Sequence, residues 1–190
     1  MKIYEKYREN GAIHWKEYED NPQYRDWVDY IISLFPSSGS VLDVGCGDGL
    51  WSAKLADRGL NVMGIDSSEH GIERAREKRK DLEFRVCEAE IMADWLVNKP
   101  FDYCLATEII EHLSDPKAMV RIFEYHIKHF MILTTPNRDL DERHSPNHYM
   151  EHTEKEIREL FSGYKVSFIK NTGLHGKWSE EKTIIAVIKK

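Results

Sequence analysis

Residues 41–49 read VLDVGCGDG, and this stretch decides the fold. Its apolar beginning is typical of a buried strand in a parallel sheet. Three glycines follow at alternate positions, Gly45, Gly47 and Gly49, where they allow a sharp turn and the close approach of a ligand. Good helix formers occupy residues 50–58, so the loop opens onto the N-terminus of a helix. A strand, a glycine loop and a helix in this order predict a nucleotide-type pocket.

The spacing of the glycines and the position of one acid favour a cationic ligand over a dinucleotide. The dinucleotide fingerprint is G-x-G-x-x-G, whereas the third glycine of this loop comes one residue early. Asp43 stands two residues before Gly45, close to where a pyrophosphate would lie, and like charges are unfavourable there. A ligand with an ammonium group would instead be attracted by Asp43.

The stretch resembles motif I of the class I S-adenosylmethionine (SAM) methyltransferases, whose usual form is apolar-Asp-apolar-Gly-Cys-Gly-x-Gly. SAM carries a sulfonium and an α-ammonium group, so the charge argument and the resemblance agree. The resemblance implies that SAM is the cofactor and that it contacts the motif residues Asp43, Gly45, Cys46, Gly47 and Gly49. A glycine-rich turn without a ligand is the structural alternative.

Length and composition predict a soluble globular protein. Hydrophobic residues make up 41% and charged residues 32% of the 190 residues. This length predicts one domain over residues 1–190, with a core at 36–190 and an N-terminal segment at 1–35. The net charge of −6 disfavours a protein that binds nucleic acid through its phosphates. We therefore expect a small-molecule acceptor rather than a nucleic acid as the partner.

Three observations predict a cytoplasmic location. No apolar run approaches the roughly 20 residues that a membrane span requires. The N-terminus lacks the apolar region of a signal peptide. The cysteines Cys46, Cys87 and Cys104 show neither metal-ligand nor redox spacing, which is typical of reduced thiols. The sequence does not predict the oligomeric state.

The N-terminal segment is rich in aromatic residues. Its second half has helical spacing, with Trp27 on the apolar face, and the helix is expected to end before Pro36. In related methyltransferases an aromatic N-terminal segment covers the SAM pocket as a lid. This resemblance implies that four residues lie over the cofactor: Tyr7, His14, Trp15 and Tyr18. Tyr7 and Trp15 are the predicted contacts, whereas a packed edge helix is the structural alternative.

A second strand ends at Asp66. An acid at the end of the strand that follows the glycine loop suits a vicinal diol, so Asp66 is predicted to bind the ribose of SAM, with Ser67 beside it. The alternative role of Asp66 is to cap the next helix, although Ser67 or Ser68 can do so in its place. After the third strand, Glu88 matches the family position that accepts from the adenine amino group, and Ala89 and Glu90 adjoin it.

Seven predicted strands, with helices between the first five, indicate a doubly wound, Rossmann-like α/β sheet. By resemblance the strand order is 3-2-1-4-5-7-6, with the last strand antiparallel. Ligands bind outside the carboxyl ends of the strands where the order reverses, here between strands 1 and 4. Thr107, at the end of strand 4, is therefore predicted beside SAM. Before strand 5, residues 125–129 replace the usual Pro-Gly-Gly turn of the family.

Four polar residues are the predicted catalytic group. Glu108, Glu111 and His112 follow strand 4, and a long loop after strand 5 carries His148. The motifs Glu-x-x-Glu-His, Thr-Pro-Asn-Arg and His-x-x-Glu-x-Thr at these places resemble two groups of enzymes. One group is the small-molecule O-methyltransferases of the ubiquinone-biosynthesis type. The other is the 2′-O-methyltransferases of small-RNA 3′ ends, in which four such residues hold a divalent metal.

These motifs leave several functions open. In an O-methyltransferase acting on a small molecule or sugar, His112 or His148 would be the base, or a divalent metal would acidify the hydroxyl. A polar network that fixes the loop is the structural alternative. Methylation of RNA 3′ ends is disfavoured by the net charge and the absence of an RNA-binding appendage. A SAM-binding partner subunit or degenerate enzyme is disfavoured by the intact motif I and Asp66. We therefore expect a SAM-dependent O-methyltransferase.

Overall fold

Seven strands form one mixed sheet in the order β3-β2-β1-β4-β5-β7-β6. The computed structural model describes residues 13–95, 100–139, 148–179 and 181–190. The strands are β1 (Ser40–Val44), β2 (Asn61–Asp66), β3 (Glu83–Val86), β4 (Phe101–Thr107), β5 (Ile127–Pro136), β6 (Lys165–Phe168) and β7 (Thr183–Lys189). Strands β1 to β5 pair in parallel, and β7 is antiparallel to both β5 and β6. The predicted strand order and the antiparallel last strand are confirmed.

Helices connect the strands and cover the sheet. They are α1 (His14–Asp20), α2 (Pro22–Ser33), α3 (Leu50–Asp57), α4 (Glu69–Lys78), α5 (Ala89–Trp95), α6 (Lys117–His126) and α7 (Glu154–Leu160). Short 3₁₀ turns lie at Ile110–His112 and Gly176–Trp178. Side chains cap the starts of three helices, because the first backbone N–H groups of a helix have no partner within it. The capping residues are Asn21, Ser68 and Thr153, the last in the predicted capping box with Glu156.

Alternate residues of β1 enter two different apolar layers, as expected for a strand that is buried on both faces. Leu42 and Val44 pack with residues of α5, α6 and α7. Val41 packs on the opposite face with Trp27 of α2 and Trp51 of α3, so the predicted core position of Trp27 is confirmed. The second layer also contains α2, which ties the N-terminal segment to the rest of the sheet.

The connection into β5 contains no turn. Helix α6 ends at His126 and strand β5 begins at Ile127, so residues 125–129 supply the end of the helix and the start of the strand. The register between β4 and β5 shifts between Phe101 and Tyr103, which absorbs the abrupt entry. No helix in the described ranges combines the length and the apolar character that a membrane span requires.

Gly64 gives a test of how closely the strands behind the glycine loop are packed. A Cβ atom at Gly64 would lie 2.7 Å from a ring carbon of Phe84 and 2.8 Å from the sulfur of Cys46. We expect Gly64→Ala to lower the free energy of unfolding by about 1–3 kcal/mol, because the added methyl overpacks the core. Denaturant unfolding measures the change. At Gly163 an added Cβ meets no atom within 4 Å, so Gly163→Ala is the control, and equal losses in both variants would contradict the packing argument.

Candidate active site

The glycine loop after β1 is bound to the end of β2 by backbone hydrogen bonds. The N–H groups of Gly45 and Cys46 both donate to the carbonyl oxygen of Ile65, at 2.8 and 2.9 Å. Gly45 and Gly47 have φ angles of 78° and 53°, and Gly49 has 79°, in the left-handed region that favours glycine. The loop therefore turns back over the carboxyl end of the sheet, and only glycine fits these turns without strain.

Asp66 fixes this loop with its carboxylate. Its Oδ2 accepts from the N–H of Gly47 at 2.9 Å, and its Oδ1 accepts from the N–H of Ser68 at 2.8 Å. The Ser68 hydroxyl caps α4 by accepting from the N–H of Gly71 at 3.1 Å, so the predicted capping by a neighbouring serine is confirmed. Asp66 is thus held rigidly at the end of β2, and it also lines the cavity described next.

A cavity of about 290 Å³ opens at the carboxyl ends of β1, β2 and β4. This is the point where the strand order reverses, and where open α/β sheets bind their ligands. Seven of the predicted cofactor contacts line this cavity, namely Gly45, Asp66, Ser67, Glu88, Ala89, Glu90 and Thr107. Two of the predicted catalytic residues, Glu108 and His112, line it as well.

Glu90 has a structural partner within this wall. One oxygen of its carboxylate accepts from the backbone N–H of Ser114 at 2.9 Å and from the Ser114 hydroxyl at 2.7 Å. This bond joins the start of α5 to the segment that follows the 3₁₀ turn at Ile110–His112. Glu90 therefore shapes the cavity by holding two of its walls together.

Asp43 lies outside the cavity, which does not support the prediction that its carboxylate contacts the ligand. The side chain is fully buried, and its Oδ2 accepts from the hydroxyl of Ser52 on α3 at 2.6 Å. Its Oδ1 has no hydrogen-bond partner among the described residues. Burial raises the pKa of Asp43 to about 7, against the opposing effect of the Ser52 hydrogen bond and with a smaller contribution from Asp66. The alternation of side chains along β1 places Asp43 on the Val41 face.

The remaining glycine-loop predictions also fall outside the cavity lining. The Cys46 side chain is buried against Ile72, Ala75 and Phe84. A Cβ at Gly49 would lie 2.8 Å from the Cβ of Ala75, so glycine permits the close packing of α3 against α4. Gly47 presents its N–H to Asp66 and is likewise not among the lining residues. Packing therefore accounts for Cys46 and Gly49, and the hydrogen bond to Asp66 accounts for Gly47.

The N-terminal segment lies against the glycine loop. The indole N–H of Trp15 donates to the backbone carbonyl of Asp48 at 3.0 Å, and the backbone N–H of Trp15 donates to the Asp48 carboxylate at 3.3 Å. Trp15 does not line the cavity, whereas its neighbour His14 does. Tyr7 lies outside the described residues. Helix α1 thus forms part of the cavity wall through His14, and Trp15 attaches this helix to the loop.

Glu111, His112 and His148 form a cluster beside the cavity. One potential metal-ligand atom of each residue lies within 4.8 Å of the other two. Glu111 is buried, and its Oε2 accepts from the hydroxyl of Thr135 at 3.0 Å. Burial and then the nearby Glu108 raise the pKa of Glu111 well above its usual range. The imidazole of His148 is held at Nδ1 by the carboxylate of Glu151, at 2.8 Å.

The backbone brings the two halves of this cluster together. The N–H of Tyr149 donates to the carbonyl of Glu111 at 2.8 Å, so the segment carrying His148 is attached to the 3₁₀ turn after β4. The rings of His112 and His148 meet edge to face, with centroids 5.0 Å apart. The predicted proximity of these residues, which are far apart in sequence, is present in the structure.

Glu108 does not join this three-residue group in the described part of the chain. Its carboxylate accepts from the hydroxyl of Thr134 at 3.1 Å, and its backbone has a φ of 51°. A residue other than glycine with positive φ is uncommon, and such strain is concentrated at functional sites. The unusual backbone directs Glu108 to the wall between the first cavity and a second one, which both include it.

His14, one of the residues predicted to lie over the cofactor, lines both cavities. Its Nδ1 lies 2.9 Å from the hydroxyl of Tyr24, and their rings stack with centroids 6.1 Å apart. Neither contact follows from a motif, because α1 and α2 cross at an angle that the sequence does not specify.

Together, the sheet order, the glycine loop and the acid at the end of β2 define a Rossmann-like nucleotide-binding class. Comparison with known proteins then identifies the family: residues 15–171 match the family model described as "Methyltransferase domain". The chain belongs to this family, and it is a class I SAM-dependent methyltransferase domain.

Individual relatives support this assignment. The ubiquinone biosynthesis O-methyltransferase of Pseudomonas entomophila (strain L48) is 37% identical over 105 residues, which are 53% of this chain and 44% of that protein. The enzyme of the same name from Dechloromonas aromatica (strain RCB) is 38% identical over 104 residues, with the same shares. The chain therefore matches less than half the length of these curated relatives. Magnesium protoporphyrin IX methyltransferase from Synechocystis PCC 6803, solved with bound SAM, has the same fold. The TM-score is 0.70 at 17% identity, and the alignment covers 99% of this chain and 95% of that one.

Asp43 generates a prediction about stability and pH. Its pKa of about 7 in the folded protein exceeds the value near 4 of an unfolded aspartate, so the folded state retains a proton that the unfolded state releases. The contribution of Asp43 to stability should therefore fall as pH rises from about 4 to about 7, by up to about 1.4 kcal/mol per pH unit.

The variant Asp43→Asn keeps the shape of the side chain and removes its titration. We expect its free energy of unfolding to rise relative to wild type across this pH window and to level off above it, as measured by denaturant titrations. The exposed Asp26 on α2 supplies the control Asp26→Asn, which removes one carboxylate from the surface. Parallel pH profiles for wild type and Asp43→Asn would show that the buried carboxyl does not titrate in this range.

Proposed function

We propose that this protein transfers the methyl group of SAM to a hydroxyl oxygen of a small molecule. The observation that carries the proposal is the cavity at the reversal of the strand order, with the fixed carboxylate of Asp66 on one wall and Glu108 and His112 on another. The names of the curated relatives, ubiquinone biosynthesis O-methyltransferases, favour oxygen as the accepting atom.

The cofactor contacts follow from the lining of the first cavity. Asp66 is the ribose ligand, since two N–H donors already fix the orientation of its carboxylate. Glu88, with Ala89 beside it, is the candidate acceptor for the adenine amino group, and Ser67 also lines the cavity. Gly45 and Thr107 leave room for the methionine part at the end of β1 and β4. Asp43 is buried behind the glycine loop and makes no direct contact with SAM.

Methyl transfer needs an acceptor oxygen in line with the methyl group, together with a group that takes the hydroxyl proton. The new bond joins the acceptor oxygen to the methyl carbon, while the bond from that carbon to sulfur breaks and leaves a neutral thioether. His112 and Glu108 line the cavity and are the candidates to receive the proton. Glu151 holds His148 and thereby fixes its free ring edge toward the cluster.

Glu111, His112 and His148 also have the chemistry of a metal site. Two imidazoles and one carboxylate suit Zn²⁺, Mn²⁺ or Fe²⁺ about as well as Mg²⁺. The bond between Glu151 and His148 has the pattern of a carboxylate that orients a ligating histidine. A divalent ion bound here would lower the pKa of a coordinated hydroxyl. Because Glu108 lies outside this group in the described residues, it is the candidate proton acceptor if a metal occupies the other three side chains.

A third prediction concerns the affinity for the cofactor. Asp66→Ala should weaken the binding of SAM by roughly tenfold to a hundredfold, because charge-assisted hydrogen bonds contribute about 1.5–3 kcal/mol. Calorimetry with SAM and with its demethylated product measures the loss. Glu69→Ala removes an exposed acid three residues away on α4 and should leave the affinity unchanged.

Two outcomes would count against this assignment. Unchanged SAM affinity in a folded Asp66→Ala variant would remove Asp66 from the cofactor site. Tighter binding of a dinucleotide than of SAM by the wild type would remove SAM from the proposal altogether.

A fourth prediction distinguishes a mechanism with a bound metal from one in which a histidine is the base. If a metal is bound, a chelator should abolish turnover and calorimetry should detect Mn²⁺ or Zn²⁺ binding that His148→Ala removes. If a histidine is the base, chelation should leave turnover unchanged, whereas His112→Ala or His148→Ala lowers it. In both cases SAM affinity should remain near that of wild type, since these groups act on the acceptor.

The exposed His70 on α4 supplies the control His70→Ala, which should affect neither metal binding nor turnover. Turnover within about threefold of wild type after alanine substitution of both His112 and His148 would exclude the cluster from catalysis, because threefold corresponds to only ~0.7 kcal/mol.

A short RNA, included as an acceptor, tests the alternative of RNA methylation. Stoichiometric SAM binding without turnover on any hydroxyl acceptor would favour a non-enzymatic partner subunit.

A further inference from the structure

Two adjacent threonines, Thr134 and Thr135, lie near the carboxyl end of β5. Both are fully buried, and β5 pairs with β7 through both positions and with β4 up to Thr134. The sheet fixes the backbone here, and the β-branched side chain of threonine restricts the rotation that carries its hydroxyl group. Thr135 is also the first residue of the Thr-Pro-Asn-Arg motif. Two hydroxyl groups are therefore held in fixed positions beside the candidate active site.

These hydroxyl groups lie on opposite faces of the sheet, because successive side chains of a strand alternate. Leu133 packs in the apolar layer that contains residues of α5, α6 and α7, so Thr135 faces the same side. Ile132 packs in the layer that contains residues of α2 and α3, so Thr134 faces that side. A single step along β5 thus places one hydroxyl group on each face.

Each hydroxyl group binds a different glutamate of the segment that follows β4. Thr135 donates to Oε2 of Glu111 at 3.0 Å, and Thr134 donates to Oε1 of Glu108 at 3.1 Å. The backbone carbonyl of Thr134 also accepts from the N–H of Glu108 at 3.0 Å. Two carboxylates that are only three residues apart in sequence are therefore held by donors on opposite faces of the sheet.

The two glutamates consequently have different surroundings. Glu111 belongs to the cluster with His112 and His148, whereas Glu108 lies outside that group among the described residues and lines both cavities. Glu111 is buried, and a buried carboxylate requires donors that satisfy it. A bond to one of its oxygens leaves acceptor capacity on the other, so Thr135 can orient the carboxylate and still leave it able to bind.

We propose that Thr135 is a positioning residue for the cluster, and that its hydroxyl group holds the Glu111 carboxylate toward the two imidazoles. Thr134 positions Glu108 in the same way, so two neighbouring threonines assign two glutamates to two different roles. This inference rests on the proposed function, in which Glu111 belongs to a metal site and Glu108 is a proton acceptor. Neither threonine lines a cavity, so each acts through one carboxylate.

Matched variants of Thr135 test the role of its hydroxyl group. Thr135→Val keeps the shape of the side chain and removes the donor, whereas Thr135→Ser keeps the donor and removes a methyl group. In the metal-free protein, the imidazole ¹⁵N signals of His112 and His148 should shift in Thr135→Val and stay near those of wild type in Thr135→Ser. The alanine variants of the two histidines identify these signals.

Calorimetry with Mn²⁺ provides a second measurement on the same samples. Residues that orient a metal ligand typically contribute about tenfold to a hundredfold to metal affinity. We therefore expect Thr135→Val to bind Mn²⁺ at least tenfold more weakly than wild type, and Thr135→Ser to bind it within about threefold. If Thr135→Val does not fold, the pair Thr135→Ala and Thr135→Ser gives the same comparison, because these two variants differ only in the hydroxyl group.

Thr134→Val is the matched control, since it removes the neighbouring hydroxyl group on the other face. It should leave the imidazole signals and the Mn²⁺ affinity near those of wild type. It should instead shift the carboxyl ¹³C signal of Glu108, identified by its loss in Glu108→Gln, by more than Thr135→Val does. The demethylated product of SAM should bind all of these threonine variants with wild-type affinity, because neither threonine lines the first cavity.

The outcomes are distinguishable. Unchanged imidazole signals and Mn²⁺ affinity in a folded Thr135→Val variant would overturn the role of Thr135, as would equal effects in Thr134→Val. Equal losses in Thr135→Ser and Thr135→Val would assign the effect to packing of the methyl group and overturn it as well. A Glu108 signal that Thr134→Val leaves unmoved would overturn the role of Thr134.

Failure of the proposed function gives a different result. If the wild type binds no Mn²⁺, the metal site is wrong, and the imidazole signals alone decide whether Thr135 positions Glu111. If the demethylated product does not bind the wild type, the proposed methyl transfer fails, while the comparison of the valine and serine variants still decides the positioning.

Discussion

The carboxylate of Asp66 holds the ligand-binding edge of this protein together. Each of its two oxygens accepts one backbone N–H, from Gly47 in the loop after β1 and from Ser68 at the start of α4. A buried carboxylate is costly unless such donors surround it, and two N–H groups with fixed positions offset that cost. The same bonds leave the acid at the end of β2 with one orientation. Asp66 therefore fixes both the glycine loop and the start of α4, and it forms part of the cavity wall.

Acids dominate the carboxyl edge of the sheet, and the structure stabilises each in its own way. Asp43 is buried behind the loop with the Ser52 hydroxyl and has a raised pKa. Glu111 is buried after β4 with Thr135 and faces the imidazoles of His112 and His148. Burial raises the pKa of Asp43 to about 7 and that of Glu111 well above its usual range, so retained protons offset the cost of burying these two carboxyl groups.

The N-terminal segment completes the site from the opposite face. Helix α2 packs on the sheet through Trp27, and Asn21 caps its start directly after α1. Helix α1 is then attached to the glycine loop by the contacts of Trp15 with Asp48. As a result His14 reaches the wall between the two cavities, where Glu108 has its unusual backbone. The two cavities meet where the N-terminal helices pass the end of β4.

Local patterns in the sequence determined the elements and their order. The apolar run with Gly45, Gly47 and Gly49 specifies strand, turn and helix, because glycine alone adopts the required φ angles freely. Thr153 and Glu156 specify a helix start, because each side chain accepts a hydrogen bond from the backbone N–H of the other residue. Family resemblance added the sheet order, and the position of an acid at the end of the second strand singled out Asp66. Most predicted residues at the ends of β2, β3 and β4 do line the cavity, because a parallel sheet gathers its carboxyl ends at one edge.

Only the tertiary structure decided the direction of individual side chains and the contacts between distant segments. Asp43 and Cys46 belong to motif I, yet the pleat of β1 and the packing of α4 turn them away from the cavity. Glu108 has a positive φ and lines both cavities, and among the described residues it lies outside the group that Glu111 and His112 form with His148. The second cavity unites residues more than a hundred positions apart, such as Tyr24 and Trp178, and His14 of α1 lines both cavities. Such arrangements depend on how elements pack, which no local spacing in the chain encodes.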